Sequence, residues 1–254
     1  MRVSIRAVLF DLDGTLLDLD VDRFMAHYMK ALTEHMGRGF DPARFQRAVL
    51  AGVSEMINND GRATNEEVFW KAFERGLGVT RSQVREATER FYREVFPTLS
   101  HVARRVDVAP WVVQAVKESG ALLVLATNPL FPREAILERM RWAGVDPNLF
   151  ELITTYEVMR ASKPSSAYYG QICESLGILP QQAAMIGNDP ELDVRAAKAV
   201  GMRAYLVDDV TPAGQMEREF AERAQAGAAS VPVEPDGRGP LAGVPAFLAG
   251  LAAN

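Results

Sequence analysis

Short apolar runs punctuate the chain at Ala7 to Phe10, Leu122 to Ala126, Leu152 to Thr154, Ala183 to Ile186 and Ala204 to Val207. Each stops at polar residues and is too short for a helix, which is the pattern of strands buried on both faces. From the second run onward, segments with helical spacing lie between them: Pro132 to Ala143, Pro164 to Leu176 and Pro190 to Val200. This alternation predicts a parallel sheet with crossover helices. The three prolines stand where a first helical turn lacks a partner for its N–H. Gly144, Gly177 and Gly201 follow the ends, where a left-handed residue terminates a helix.

Leu17 to Phe96 reads differently. It carries helical periodicity and no convincing strand, with helices expected over Val21 to Glu34, Pro42 to Ile57, Glu66 to Leu77 and Ser82 to Val95, and starts near Asp41, Asn65 and Thr80. The expected organisation is an α/β core formed by residues 1–16 and 97–254, with a helical cap, residues 17–96, inserted after the first strand. Beyond Asp208 the stretch Ala224 to Pro240 reads as a surface connection, and Leu241 to Leu251 as a last helix.

Composition narrows the function classes. An apolar share of 48% beside 24% charged residues is that of a soluble globular protein. A formal net charge of −5 provides no basic field for nucleic acid or an anionic membrane. A phosphorylated small molecule stays compatible with this acidity if a divalent cation inverts the local charge. Cys173 is the only cysteine, so there is neither an intrachain disulfide nor a cysteine-based zinc site. The run Ala7 to Phe10 is too short for a secretory apolar region, and no run approaches the ~20 residues of a membrane span. A cytoplasmic setting is the expectation.

The strongest chemical signal is Phe10-Asp11-Leu12-Asp13-Gly14-Thr15-Leu16, directly after the first apolar run. It puts two carboxylates at a strand's carboxyl end, where open α/β sheets bind ligands. Strand alternation points both the same way, and Gly14 lets the chain turn. Further along stand Thr127-Asn128, then Lys163-Pro164, then Gly187-Asn188-Asp189 with Asp193 beyond, each beside a predicted strand or helix. This ordered set resembles the haloacid dehalogenase superfamily, in particular its phosphatase branch with a helical cap, over nearly the whole chain. The fold this implies is a doubly wound, Rossmann-like parallel sheet.

The resemblance also implies a chemistry. Asp11 would attack phosphorus and form an aspartyl phosphate, and Asp13 would protonate the leaving alcohol and then deprotonate the attacking water. Thr127, Asn128 and Lys163 would bind the phosphoryl group. Mg²⁺ would be held by the side chains of Asp11 and Asp189 and the Asp13 carbonyl, with Asp193 in support. Asn188 stands where many relatives carry Asp, which removes one charge there. The expected activity is Mg²⁺-dependent hydrolysis of a small phosphorylated metabolite; a phosphomutase of the same family and a catalytically idle binding or regulatory protein are the alternatives.

Other motifs are weaker. Asp18, Asp20 and Asp22 begin like a calcium loop, but Arg23 and Met29 stand where Gly and a bidentate Glu are required. They read as the solvated entrance to the cap, with Asp18 a candidate support for the active site. His27, His35 and His101 have no compact metal-ligand spacing. Met25, Met29, Met36 and Met56 with Phe24, Phe40, Phe45, Phe69 and Trp70 read as the cap's core. Dinucleotide, P-loop and nucleophile-elbow signatures are absent. The sequence specifies neither the substrate nor an oligomeric state.

Overall fold

The computed structural model describes residues 4–210 and 233–253. Six strands form one parallel sheet: β1 (Ala7–Phe10), β4 (Leu122–Leu125), β5 (Leu152–Ile153), β6 (Ala183–Gly187), β7 (Arg203–Val207) and β8 (Gly237–Gly239), in the spatial order β5-β4-β1-β6-β7-β8. The order runs outward from β1 on both sides, so the strand sequence reverses there. A crevice is expected above the carboxyl end of the strand at such a switch point.

Register sharpens that expectation. Phe10 pairs with Leu125 on one side and with Ile186 on the other, so Asp11, Ala126 and Gly187 stand at one level. The Asp11 N–H still donates to the Ile186 carbonyl at 2.9 Å, and Ala126 N–H to Phe10 O at 2.7 Å. Side-chain alternation divides the core into two layers. Val8, Phe10, Leu123 and Leu125 face one side, where α5 (Ala109–Glu118) and α6 (Arg133–Ala143) pack. Ala7, Leu9, Val124 and Ala126 face the other, against Tyr168, Ile172 and Cys173 of α7 (Ser166–Leu176). Burying a Leu or Phe of this kind stabilises by about 1.5–3 kcal/mol.

Between β1 and α5 lie α1 (Val21–Met36), α2 (Pro42–Ile57), α3 (Asn65–Leu77) and α4 (Arg81–Arg90). Asp20, Asp41 and Thr64 cap the first three, each accepting from a backbone N–H of the first turn, and the Thr64–Glu67 capping box closes α3. The expected helix over Ser82 to Val95 stays α-helical only to Arg90. It continues as a π segment over Phe91–Val95 and a 3₁₀ segment over Phe96–Val102, because Pro97 lacks the N–H an α-helix would use.

Several expectations need correction. Leu17–Leu19 is a strand, β2, antiparallel to β3 (Ala103–Arg105). Three residues whose partner lies 86 positions away leave no readable periodicity, although the Leu-Asp-Leu alternation is there. The Asp18 carboxylate pairs across this ladder with Arg104, whose Nε donates to it at 2.7 Å. Pro164 lies outside α7, which begins at Ser166 with the Ser165 hydroxyl as its cap, and Pro132 is the cap residue of α6 rather than its first turn. Within the expected surface connection Gly237–Gly239 forms the edge strand β8, while residues 224–232 lie outside the described part. The closing helix is Val244–Ala253. No helix among the described residues is long and apolar enough to cross a membrane.

Candidate active site

The four sequence motifs meet at the carboxyl ends of β1, β4 and β6. Their centre is an ion triad. Lys163 Nζ donates to Asp11 Oδ1 at 2.8 Å and to Asp193 Oδ1 at 2.6 Å, and all three residues are buried. Asp193 also uses its other oxygen, which accepts from the Asp189 backbone N–H at 3.1 Å. One carboxylate thus fixes both the lysine and the loop after β6. Two of the three ammonium protons are committed, so one remains for a ligand oxygen.

Glycine makes the assembly possible at two points. A Cβ on Gly187 would lie 2.1 Å from Asp193 Oδ2, so any larger residue there would displace the carboxylate that holds Lys163. Gly14 has φ +80, and a Cβ would fall 2.2 Å from Asn188 Nδ2. The turn after the acid pair and the loop after β6 are thus pressed together, with Thr15 Oγ1 also donating to Asn188 Oδ1 at 3.4 Å.

Thr127 is positioned through its carbonyl, which accepts from Thr154 Oγ1 at 2.7 Å and from Tyr168 OH at 2.9 Å. Tyr169 OH anchors the other wall by donating to Leu192 O at 2.6 Å. Asn128 Oδ1 is buried without a hydrogen-bond partner among the described residues.

Asp13 is clamped by a residue that the motifs did not supply. The Arg139 guanidinium, buried on α6, donates through Nη1 to Asp13 Oδ2, and its plane lies over the rings of Phe131 and Phe24, at 4.6 and 5.6 Å. Asp13 Oδ1 and the Nε and Nη2 of Arg139 have no hydrogen-bond partner among the described residues. A signal for Arg139 was present: it lies in the apolar stripe Ile136, Met140 and Ala143, where a solvated arginine does not belong.

Burial dominates the electrostatics. It pushes the Asp11 carboxyl up to about 7 even though Lys163 pulls against it, with Asp193 adding to the rise. Asp13 is also raised by burial, opposed by Arg139. Burial alone would lower Lys163, but Asp11 and Asp193 outweigh it and hold the ammonium well above its ordinary range. Asp189 is raised by burial and by Asp193, against the N–H groups of Leu192 and Glu191.

A hard divalent cation fits this donor set in kind, since Asp11, Asp189 and the Asp13 carbonyl all present oxygen. Asp189 Oδ1, however, already accepts from Glu191 N at 2.7 Å and Leu192 N at 2.9 Å, capping the segment Pro190–Arg195. Its neighbour Asn188 is the side chain that reaches the acid-pair turn. Among the described residues no group of three or more His, Cys, Asp or Glu side chains is gathered for a metal. A cation here would rest on two carboxylates supplemented by carbonyl or amide oxygen.

Above the site lies a cavity of about 630 Å³ lined by Asp13, Thr127, Asn128 and Arg139 at one end and by side chains of α1, α2 and α3 at the other. Met25, Met29, Met36, Phe24, Phe45, Phe69 and Trp70, expected as core, all line it, whereas Met56 is packed away from it. Of the histidines, His27 and His101 pack ring against ring at 5.3 Å and His35 lies against Phe91.

With the geometry defined, comparison with known proteins is informative. A family model described as haloacid dehalogenase-like hydrolase matches residues 5–201. The chain belongs to this family. It is 33% identical over 211 residues to a phosphoglycolate phosphatase of Chromobacterium violaceum, covering 80% of this chain and 85% of that protein. It is 26% identical to an N-acetylmuramic acid 6-phosphate phosphatase of Pseudomonas aeruginosa, covering 81% and 83%. Among solved structures, a HAD phosphatase from Thermococcus onnurineus superposes with a TM-score of 0.55 at 20% identity, covering 97% of this chain and 99% of that one. An L-2-haloacid dehalogenase from Xanthobacter autotrophicus gives 0.53 at 16% over the same shares. These last two speak to the fold. The hydrolase assignment rests on the family match and the named phosphatases.

Proposed function

We propose that this haloacid dehalogenase-like hydrolase is a Mg²⁺-dependent phosphatase acting on a small phosphorylated metabolite through an aspartyl phosphate on Asp11. The observation that carries the reading is the pairing of two unlike carboxyls at one strand end: Asp11 bound to the Lys163 ammonium and Asp13 bound to the Arg139 guanidinium. Separate environments let two neighbouring acids take separate roles.

Asp11, held by one oxygen to Lys163, attacks phosphorus and displaces the alcohol. The Lys163 proton not committed to Asp11 or Asp193, with the Thr127 hydroxyl and the backbone at Asn128, binds the phosphoryl oxygens and offsets charge in the transition state. Asp13, released from water by burial and held by Arg139, gives a proton to the leaving oxygen, and the resulting carboxylate takes one from water in the second half-reaction. Asp11, Asp189 and the Asp13 carbonyl would hold Mg²⁺, which would supply charge neutralisation between nucleophile and phosphate. The helices α1–α4 act as a cap that excludes water while Asp11 attacks. The cytoplasm, rich in free metabolites, is the setting consistent with a single cysteine.

The presence of Asp13 favours ester hydrolysis over alkyl halide displacement, since a departing halide needs no proton. A phosphomutase would use the same two acids. Incubation of phosphorylated metabolites with Mg²⁺ or with EDTA is expected to release inorganic phosphate only with the metal. Formation of an isomeric sugar phosphate in its place would establish the mutase, and no turnover of any ester by folded protein would leave a binding role.

The neutral Asn188 has a measurable consequence. Asn188→Asp adds a third carboxylate beside the turn at Gly14, so Mg²⁺ should bind about ten-fold more tightly by calorimetry, as ligand charge dictates. An unchanged or weaker affinity would show that position 188 is not within reach of the ion.

A further inference from the structure

We infer that the alcohol released by this enzyme carries an extended apolar body, which lies between α1, α2 and α3 while its phosphate sits at Asp11; the inference rests on the phosphatase reading. The cavity that begins at Asp13, Thr127 and Asn128 does not end near them. At about 630 Å³ it falls within the ~300–1,000 Å³ of pockets that enclose drug-sized molecules. A two-carbon phosphate ester, of the kind the Chromobacterium relative is named for, would leave most of it unfilled.

The chemistry of the lining changes along its length. The end at the sheet carries Asp13 Oδ1 and Asn128 Oδ1, which have no hydrogen-bond partner among the described residues, beside the Arg139 guanidinium; Trp70 Nε1 is another such atom, on α3. The far end is built from side chains such as Met29, Leu32, Phe45, Val49 and Val53. Arg139 is the one cation among the described lining residues, and it is already bound to Asp13. The far half holds no cation for a second phosphate; of its polar side chains, Tyr28 and Tyr92 bond each other and Thr88 donates to Val84 O, while Asp22, Ser54, Trp70 and Tyr156 add the rest, and leaving the further hydroxyls of a polyhydroxylated chain unpaired costs about 1–3 kcal/mol each. An apolar chain would instead be taken out of water against flexible thioethers that adjust to its shape. In the reaction, water and the phosphate monoester give the apolar alcohol and inorganic phosphate: the P–O bond to the alcohol breaks, and its oxygen receives the proton from Asp13.

The test separates binding from turnover. Ethyl-, butyl-, hexyl- and octylphosphonate, which have no hydrolysable ester, are titrated calorimetrically into the full chain with Mg²⁺, and the corresponding alkyl phosphates are assayed for phosphate release. Affinity should rise roughly four-fold per added methylene until the cavity is filled, the value expected when each methylene leaves water. Val53→Trp, which occupies part of the far end, should reduce the octyl-over-ethyl preference at least ten-fold. Equal affinities along the series, or a preference unmoved by Val53→Trp in protein that melts normally, would overturn the inference. Length-dependent binding without release from any ester would uphold the cavity assignment and remove the phosphatase reading instead.

Discussion

Asp11→Asn is expected to abolish phosphate release, by about 10⁴-fold or more, and at the same time to make the metal-free protein more resistant to heat at pH 8. The two effects have one cause. A carboxyl buried at the end of β1 is costly to ionise, which is why that of Asp11 is pushed up from 3.8 to about 7. A group raised in this way contributes stability that is fully present below pH 3.8 and is lost as pH climbs through about 7. Above that point the folded protein bears the cost of the charge, at most about 4 kcal/mol at ~1.4 kcal/mol per pH unit. An amide of the same shape does not ionise. Melting curves at pH 5 and pH 8 should show the wild-type protein losing more stability between the two than the variant does. A variant that is both inactive and less stable at pH 8 would indicate that Asp11 is held mainly as a structural partner of Lys163.

The strands and the acid pair were legible because their signals are local. Runs such as Ala7 to Phe10 are apolar on both faces, which placed Asp11 and Asp13 at a strand's carboxyl end, and the resemblance carried by the ordered motifs is what drew Thr127, Lys163 and Asp193 to the same place before any coordinates. What escaped depends on contacts between distant segments. Arg139 meets Asp13 across 126 positions, and only its place in an apolar stripe hinted at that. Tyr168 and Thr154 hold Thr127 through its backbone, which no motif records. The loop after β6 is the finest case: Asn188 and Asp189 are neighbours, and which of them turns toward Gly14 is decided by the φ,ψ of one residue and by the cap that Asp189 forms with Glu191 and Leu192. The strands β2 and β3 are invisible for a related reason, since each is three residues long and has meaning only once the helices between them have returned the chain.

Lys163→Met carries the second large effect, this time on the fold itself. The ammonium lies between two buried carboxylates, so the wild-type triad carries one excess negative charge rather than two. Removing the lysine strands both, and breaking a buried pair from one side costs about 3–5 kcal/mol. At about 2–4 °C per kcal/mol for a chain of this size, melting at pH 8 should fall by roughly 6–20 °C. Because Lys163 is the main influence holding the Asp11 carboxyl down, its loss sends that pKa above 7, and the deficit should shrink as pH is lowered and Asp11 takes up a proton. The Lys163 ammonium itself adds no pH dependence between pH 5 and pH 9, since its own pKa lies well above the ordinary value of 10.5. Adding Asp11→Asn to Lys163→Met removes one of the stranded charges and should recover part of the lost stability, an interaction between neighbours of about 0.5–3 kcal/mol in a double-mutant cycle. Strictly additive effects in that cycle would mean that Lys163 and Asp11 do not sense each other in solution, and the ion triad would then cease to explain how a charged Asp11 is kept in a buried site.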